Sequence, residues 1–295
     1  MHMIMHFKVL RRRRTINMSC EGCPNHGNCN KDASTCSVET NPKNNIKKII
    51  AVMSGKGGVG KSTITVMLAK AMAKKGLKVG IMDADITGPS IPRLLDAADE
   101  QAYATKDNEI IPIVTEEGIK IMSLNYLMKN ESDPVIWRGP VIAGVVKQFY
   151  TDVLWEELDV LLIDMPPGTG DVALTIMQSL PVQGIVMVST PQPMVSMIVS
   201  KAVHMCEQLQ VPVLGVIENM AYLDCPNCNE RIEFYETGEL HQFFDETGLK
   251  LYGTLPMLDL IRDINKYGSY TDKQKEVADS YMSDIADEVW QDVNE

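Results

Sequence analysis

Ile49-Ile50-Ala51-Val52-Met53-Ser54-Gly55-Lys56-Gly57-Gly58-Val59-Gly60-Lys61-Ser62-Thr63 sets the fold of this chain. A short aliphatic run gives way to a glycine-rich loop, which opens directly into a helical pattern over Ser62–Lys75. Gly55 to Ser62 satisfies G-x-x-x-x-G-K-S/T, the spacing of a phosphate-binding loop. The chemistry comes from the residue types. Glycines let backbone N–H groups converge on oxygens that a Cβ would block, and the helix N-terminus adds favourable potential for an anion. Lys61 is positioned to reach the β- and γ-phosphates of a nucleotide, and Ser62 to ligate Mg²⁺.

The rhythm of the opening stretch continues outward. Strands are expected at Ile49–Met53, Val79–Asp83, Ile119–Ser123, Val160–Asp164, Gly184–Ser189, Val213–Glu218 and Leu251–Leu255. Helical patterns lie between them at 62–75, 140–150, 173–179 and 194–208. Apolar strands alternating with crossover helices predict an α/β fold with one doubly wound, mostly parallel sheet. Residues 96–118 break the rhythm and read as a small hairpin excursion. Val277, Tyr281, Ile285, Val289 and Val293 recur every fourth position, so the acidic C-terminus reads as a helix packed on the core. Upstream, residues 1–45 are polar and cysteine-bearing, and close on Asn41-Pro42-Lys43-Asn44-Asn45 as a linker. Two units are expected: an N-terminal extension over 1–45 and a nucleotide-binding domain over 46–295.

Composition narrows the function. The 295 residues carry 28 Lys and Arg against 39 Asp and Glu, a net charge of −11. Such a surface repels phosphate backbones, so no nucleic-acid partner is expected. No stretch approaches the ~20 apolar residues that span a bilayer, and the terminal helix lacks a basic polar face, so no membrane partner is expected either. Arg11–Arg14 is followed by polar Thr15, Asn17 and Ser19 and reads as a solvated terminus, with Met18 an alternative start. The seven cysteines, without a secretion signal, point to a reducing cytoplasm.

Carboxylates stand where strands of such a sheet place ligands. Asp83 and Asp85, in Met82-Asp83-Ala84-Asp85, close the second strand, and Asp164 ends Val160-Leu161-Leu162-Ile163-Asp164. Singly each reads as a cap or turn residue; together with a phosphate loop they read as metal-site carboxylates. Cys225-Pro226-Asn227-Cys228 supplies two thiolates, half of a tetrahedral zinc or iron–sulfur site. No second pair lies nearby, and two copies of the chain meeting across a symmetric dimer would complete the set. Cys20, Cys23, Cys29 and Cys36 form a second group near the N-terminus, where sequence leaves the metal open between zinc and iron. Cys206 reads as a small buried residue.

Lys56 places the loop in the deviant Walker A subclass, K-G-G-x-G-K-S/T, of the MinD-like P-loop NTPases. GKGGVGKST, DADITGPS, LLIDMPPGTGD, ENMAY and CPNC, in this order, resemble the Mrp/ApbC/Nbp family of iron–sulfur carrier ATPases over about residues 46–270. The resemblance implies a homodimer or a related heterodimer that binds and hydrolyses ATP with Mg²⁺, and carries a labile 4Fe–4S cluster for delivery to apo iron–sulfur proteins. By that resemblance Gly55, Lys56, Gly57, Gly58, Val59, Gly60, Lys61, Ser62 and Thr63 hold the nucleotide. Lys56 reaches across the dimer to the partner's nucleotide, and a lone solvated lysine is the plain alternative. Asp85 positions the attacking water, Ser62, Asp83 and Asp164 hold Mg²⁺, and residues 165–171 form switch II. Asn219 corresponds to an asparagine that reads adenine, with a turn-stabilising role the alternative. Cys225 and Cys228 of both subunits bridge the cluster. Ser19-Cys20-Glu21-Gly22-Cys23 through Cys29 resembles the ferredoxin-like extension of the Nbp branch, but His6 stands where that pattern has its first cysteine. The fourth ligand is then Cys36 or His6 itself, and the sequence leaves the two open.

Three other functions compete. A spatial-organising ATPase of the MinD or ParA kind needs a membrane or DNA surface that the charge disfavours. A nitrogenase-type reductase needs a cysteine just beyond switch II, and residues 164–183 contain none. A zinc-bridged targeting ATPase would explain both the C-x-x-C and the 19 methionines, but the methionines are scattered and no large helical insertion is present.

Overall fold

The computed structural model describes residues 40–86, 88–128, 139–192, 195–225, 227–228, 230–234, 238–257 and 272–295. The chain runs β1 (Asn45–Ser54), α1 (Lys61–Lys74), β2 (Val79–Asp83), α2 (Ile91–Leu94), β3 (Tyr103–Ala104), β4 (Ile110–Ile111), β5 (Ile113–Val114) and β6 (Lys120–Met122). It continues through α3 (Gly139–Thr151), β7 (Glu157–Asp164), α4 (Asp171–Ser179), β8 (Gly184–Ser189), α5 (Val195–Gln208), β9 (Val213–Asp224), β10 (Arg231–Glu233), α6 (Gly238–Thr247), β11 (Leu251–Pro256) and α7 (Asp272–Asn294).

Nine strands form one sheet in the order β10-β9-β8-β1-β7-β2-β6-β5, with β11 also paired to β9. All pairings are parallel except β10 on β9 and β5 on β6. The burial of the central strands has a direct cause. β2 and β8 are buried along their whole length, as is β1 from Ile49 onward, because helices cover both faces of the sheet. One core, built around Phe149, Trp155, Leu161 and Ile185, fills the face covered by α3 to α6; the other, built around Ile64, Leu68, Met72, Ile285 and Val289, fills the face under α1 and α7. The expected doubly wound architecture is present.

The expected elements appear with shifted ends. β1 and β7 start four and three residues earlier than their apolar runs suggest, because polar side chains there pair in the ladder while facing solvent. The excursion over 96–118 contains the β3–β4 hairpin, in which Tyr103 opposes Ile111. The terminal helix packs on α1, burying Met282, Ile285, Ala286, Val289 and Val293, and Lys75 bonds Asp287 at 2.6 Å. The largest difference is at β9. It runs six residues past Glu218 to Asp224 and pairs with β10, a strand the sequence pattern does not signal.

Candidate functional site

Register alone assembles the site. Asp83 opposes Asp164 across β2 and β7, Val52 opposes Asp164 across β7 and β1, Ser54 opposes Val188, and Ser189 opposes Glu218. The C-terminal ends of five neighbouring strands therefore converge on the Gly55–Gly60 loop. Gly58 and Gly60 sit at φ 78° and 80°, the left-handed region a side chain resists, and nothing lies within 4 Å of where a Cβ at Gly58 would stand. Gly60 caps α1 without a side-chain hydrogen bond, so the first-turn amides of α1 face the loop. Gly168 donates its N–H to Ser54 O at 2.8 Å, which lays the expected switch II against the loop.

Inside the loop the charges are buried and paired. Lys61 is 6% exposed and its Nζ lies 2.8 Å from Asp164 Oδ2 and 3.9 Å from Asp85 Oδ2. The Ser62 hydroxyl donates to the same Asp164 oxygen at 2.6 Å, and Thr65 Oγ1 lies 2.8 Å from Asp164 Oδ1. Thr63 is buried beside them. Asp83 accepts from Ser123 Oγ at 3.1 Å and from the Asp85 N–H at 3.2 Å. Burial, with the Asp164 charge next to it, pushes the Asp83 carboxyl up to about 8. Asp83, expected to ligate Mg²⁺, stands fully buried opposite Asp164 at the strand ends. Lys56 is held in the same chain by Gln192, the third residue after β8.

Asn219, expected to read adenine, is tied to the loop. Its Nδ2 donates to Val59 O at 2.9 Å and the side chain is fully buried, so it props the loop. Among the described residues, Ser54 Oγ, Thr190 Oγ1 and Asn219 Oδ1 are buried without a partner, at the end of β1, just past β8 and at the matching level of β9. That concentration of unsatisfied polar atoms marks the strand ends as a place for a polar ligand.

Mg²⁺ fits this donor set. It keeps most of its waters and binds through one or two hard oxygens plus substrate phosphates, which is what Ser62 and Asp164 offer. Among the described residues no three His, Cys, Asp or Glu side chains gather as metal ligands.

The thiol pair lies at the turn between β9 and β10, where Cys225 N–H donates to Glu230 O at 2.9 Å. Cys225 is half-buried and Cys228 exposed. Backbone N–H groups of Asn227 and Cys228 hold the Cys225 thiol below its ordinary range. Burial pushes Cys206 up to about 12, as suits an inert core thiol. Ile232 and Phe234, on and just past β10, leave apolar surface exposed beside the pair. Cys20, Cys23, Cys29 and Cys36 lie outside the described residues.

With the geometry in place, comparison with known proteins decides the family. The profile described as ParA, NUBPL iron-transfer P-loop NTPase, matches residues 45–290. The chain belongs to this family. An iron-sulfur cluster carrier protein of Clostridium perfringens is 49% identical over 257 residues, covering 82% of this chain and 90% of that protein. A nucleotide-binding protein from Archaeoglobus fulgidus, solved in complex with ADP, is 40% identical with a TM-score of 0.64, covering 81% of this chain and 88% of that one. The cell division ATPase MinD of Pyrococcus furiosus shares the fold at 19% identity and a TM-score of 0.59, over 83% and 99% of the two chains. The P-loop NTPase assignment and the MinD-like fold expected from the sequence both stand. Sequence reasoning misses Thr65, Ser123 and Gln192. Thr65 is within its reach: a hydroxyl one helical turn past Lys61, among Ile64, Val66 and Leu68, needs a buried partner.

Proposed function

We propose that the chain is an ATP-hydrolysing carrier that, as a pair of identical copies, holds a labile 4Fe–4S cluster and passes it to apo iron–sulfur proteins. The observation that carries this reading is the division of labour within one chain. A complete phosphate loop sits at the strand ends, and a two-thiol half-site sits on the hairpin that continues the same sheet. Two thiolates cannot close a tetrahedral set, and a second copy doubles them. The exposed Ile232 and Phe234 give the meeting surface apolar area to bury.

Each residue has a task. The loop amides and Lys61 bind and orient the triphosphate, and Ser62 and Asp164 hold Mg²⁺, which supplies charge neutralisation on the phosphate oxygens. For Lys61 this means exchanging Asp164 for phosphate. Lys56 leaves Gln192 to reach the partner's nucleotide. Asp85, at the mouth of the site, orients the attacking water. Cys225 and Cys228 grip the cluster, and its exposure on the Cys228 side leaves a path for an acceptor thiol to displace them. Cys20, Cys23 and Cys29, with Cys36 as fourth ligand, form a second metal site in the extension. No helix of the described residues is long and apolar enough to cross a membrane. The thiolates need a reducing aqueous compartment, and the cytoplasm supplies one.

Anaerobic reconstitution with iron and sulfide tests the proposal. Wild type is expected to show 4Fe–4S Mössbauer and absorption signatures that Cys225→Ala/Cys228→Ala lacks. Equal iron in both proteins, or retention of zinc alone, would overturn it.

A further inference from the structure

β9 joins the two sites without an intervening loop. Near its middle, Asn219 is fully buried and donates Nδ2 to Val59 O of the phosphate loop. The next residue, Met220, has φ 55°, a left-handed conformation uncommon for any residue but glycine and foreign to a strand. The neighbouring strand records the same irregularity. Thr254 of β11 pairs with Glu218 and Pro256 with Tyr222, so four steps along β9 match two along β11. This is a bulge, which bends a strand and re-aims the chain beyond it. Past the bulge, Tyr222, Leu223 and Asp224 pair with β10, and Cys225 comes next.

We propose that Asn219 is a positioning residue for the phosphate loop and that the Met220 bulge converts a shift of that loop into a swing of the β9–β10 hairpin bearing Cys225 and Cys228. Backbone held in a sparsely populated conformation persists only where its surroundings over-determine it, and such positions recur at switches. The surroundings here are two: the Asn219 strut on one side and the hairpin pairing on the other. An element that both sites bias is the physical requirement for coupling. Linkage makes the effect reciprocal. Whatever factor nucleotide applies to thiol-site affinity, occupancy of the thiol site applies to nucleotide affinity. The meaning of the coupling as nucleotide-controlled cluster release rests on the function proposed above, but the mechanical link does not.

Hydrogen–deuterium exchange of the metal-free full chain, with and without Mg·ADP, reads the link directly. In wild type, ADP is expected to slow exchange in residues 54–63 and to change it severalfold in residues 221–234. Met220→Gly relieves the strain and frees the backbone there, since glycine accepts φ 55° and many other conformations, so a shift of the loop is no longer passed along β9. It is expected to bind ADP and protect residues 54–63 while the response of residues 221–234 falls to near zero. Asn219→Ala is expected to lose the same response. A silent hairpin in wild type whose loop is protected, or an undiminished response in both variants, would overturn the link. A responsive hairpin in a protein that never assembles a cluster would uphold the link and overturn the carrier reading; the reverse result would do the opposite.

Discussion

The phosphate loop and the thiol hairpin are tied to the same strand yet are built on opposite terms. At the loop, Lys61 and Asp164 are 6% and 0% exposed, and Asp164 alone is contacted by Lys61, Ser62 and Thr65. At the hairpin, Cys228 is exposed, Cys225 is half-buried, and a backbone bond from Cys225 to Glu230 closes the turn. The first site is over-determined within one chain; the second is open to solvent and, among the described residues, offers two thiols. A catalyst needs its groups held before substrate arrives. A carrier has to give its cargo up, and a deeply enclosed cluster would be kept rather than passed on.

Four experiments put that contrast at risk. The largest effect is expected from Cys225→Ala/Cys228→Ala, which should lose the proposed cluster entirely while its thermal melt stays at the wild-type temperature. Iron and sulfide analysis beside a melting curve checks both halves. Next, Lys61→Ala should cut ATP turnover by about 10²–10³-fold, the scale for one preorganised group that stabilises transition-state charge. Cluster uptake by that variant should be unchanged, and equal turnover in a phosphate-release assay would remove the nucleotide site as drawn.

A smaller effect separates the two regions by stability. Thr65→Val keeps the shape of the side chain but strips Asp164 Oδ1 of its hydroxyl partner, which should cost about 1–3 kcal/mol in denaturant unfolding. Cys228→Ser, on the exposed turn, should change stability by less than about 0.5 kcal/mol. The smallest perturbation is chemical. In the metal-free protein, an alkylating reagent at neutral pH should modify Cys228 and Cys225 well before Cys206, because burial pushes Cys206 up to about 12 and backbone N–H groups pull Cys225 down. Peptide mapping by mass spectrometry gives the order, and early loss of Cys206 would contradict its burial.

Much of this architecture is legible in the letters alone. The phosphate loop is local: its glycines, Lys61 and Ser62 are contiguous, so their chemistry survives as a string of residues. Asp83 and Asp164 fall at strand ends as expected, because buried parallel strands announce themselves as aliphatic runs. The upward push on the Asp83 carboxyl is not legible. It depends on Asp164 standing opposite it across two strands 81 residues apart in sequence, and on the burial that both share. Asn219 shows the same limit, since its partner Val59 is 160 residues away. β10 escapes because its three residues, Arg231, Ile232 and Glu233, are all exposed and carry too short a pattern to be recognised.

The order of amino acids fixes which groups can do chemistry, since a loop of glycines ending in Lys-Ser and a C-x-x-C pair of thiols carry their reactivity in their spacing. How those groups are held is a property of the folded molecule. Strand register sets which carboxylate is pushed up by its neighbour, which amide props the loop, and how far β9 extends toward the thiols. The physical reason is that neighbours across a sheet are chosen by packing over the whole core rather than by position along the chain.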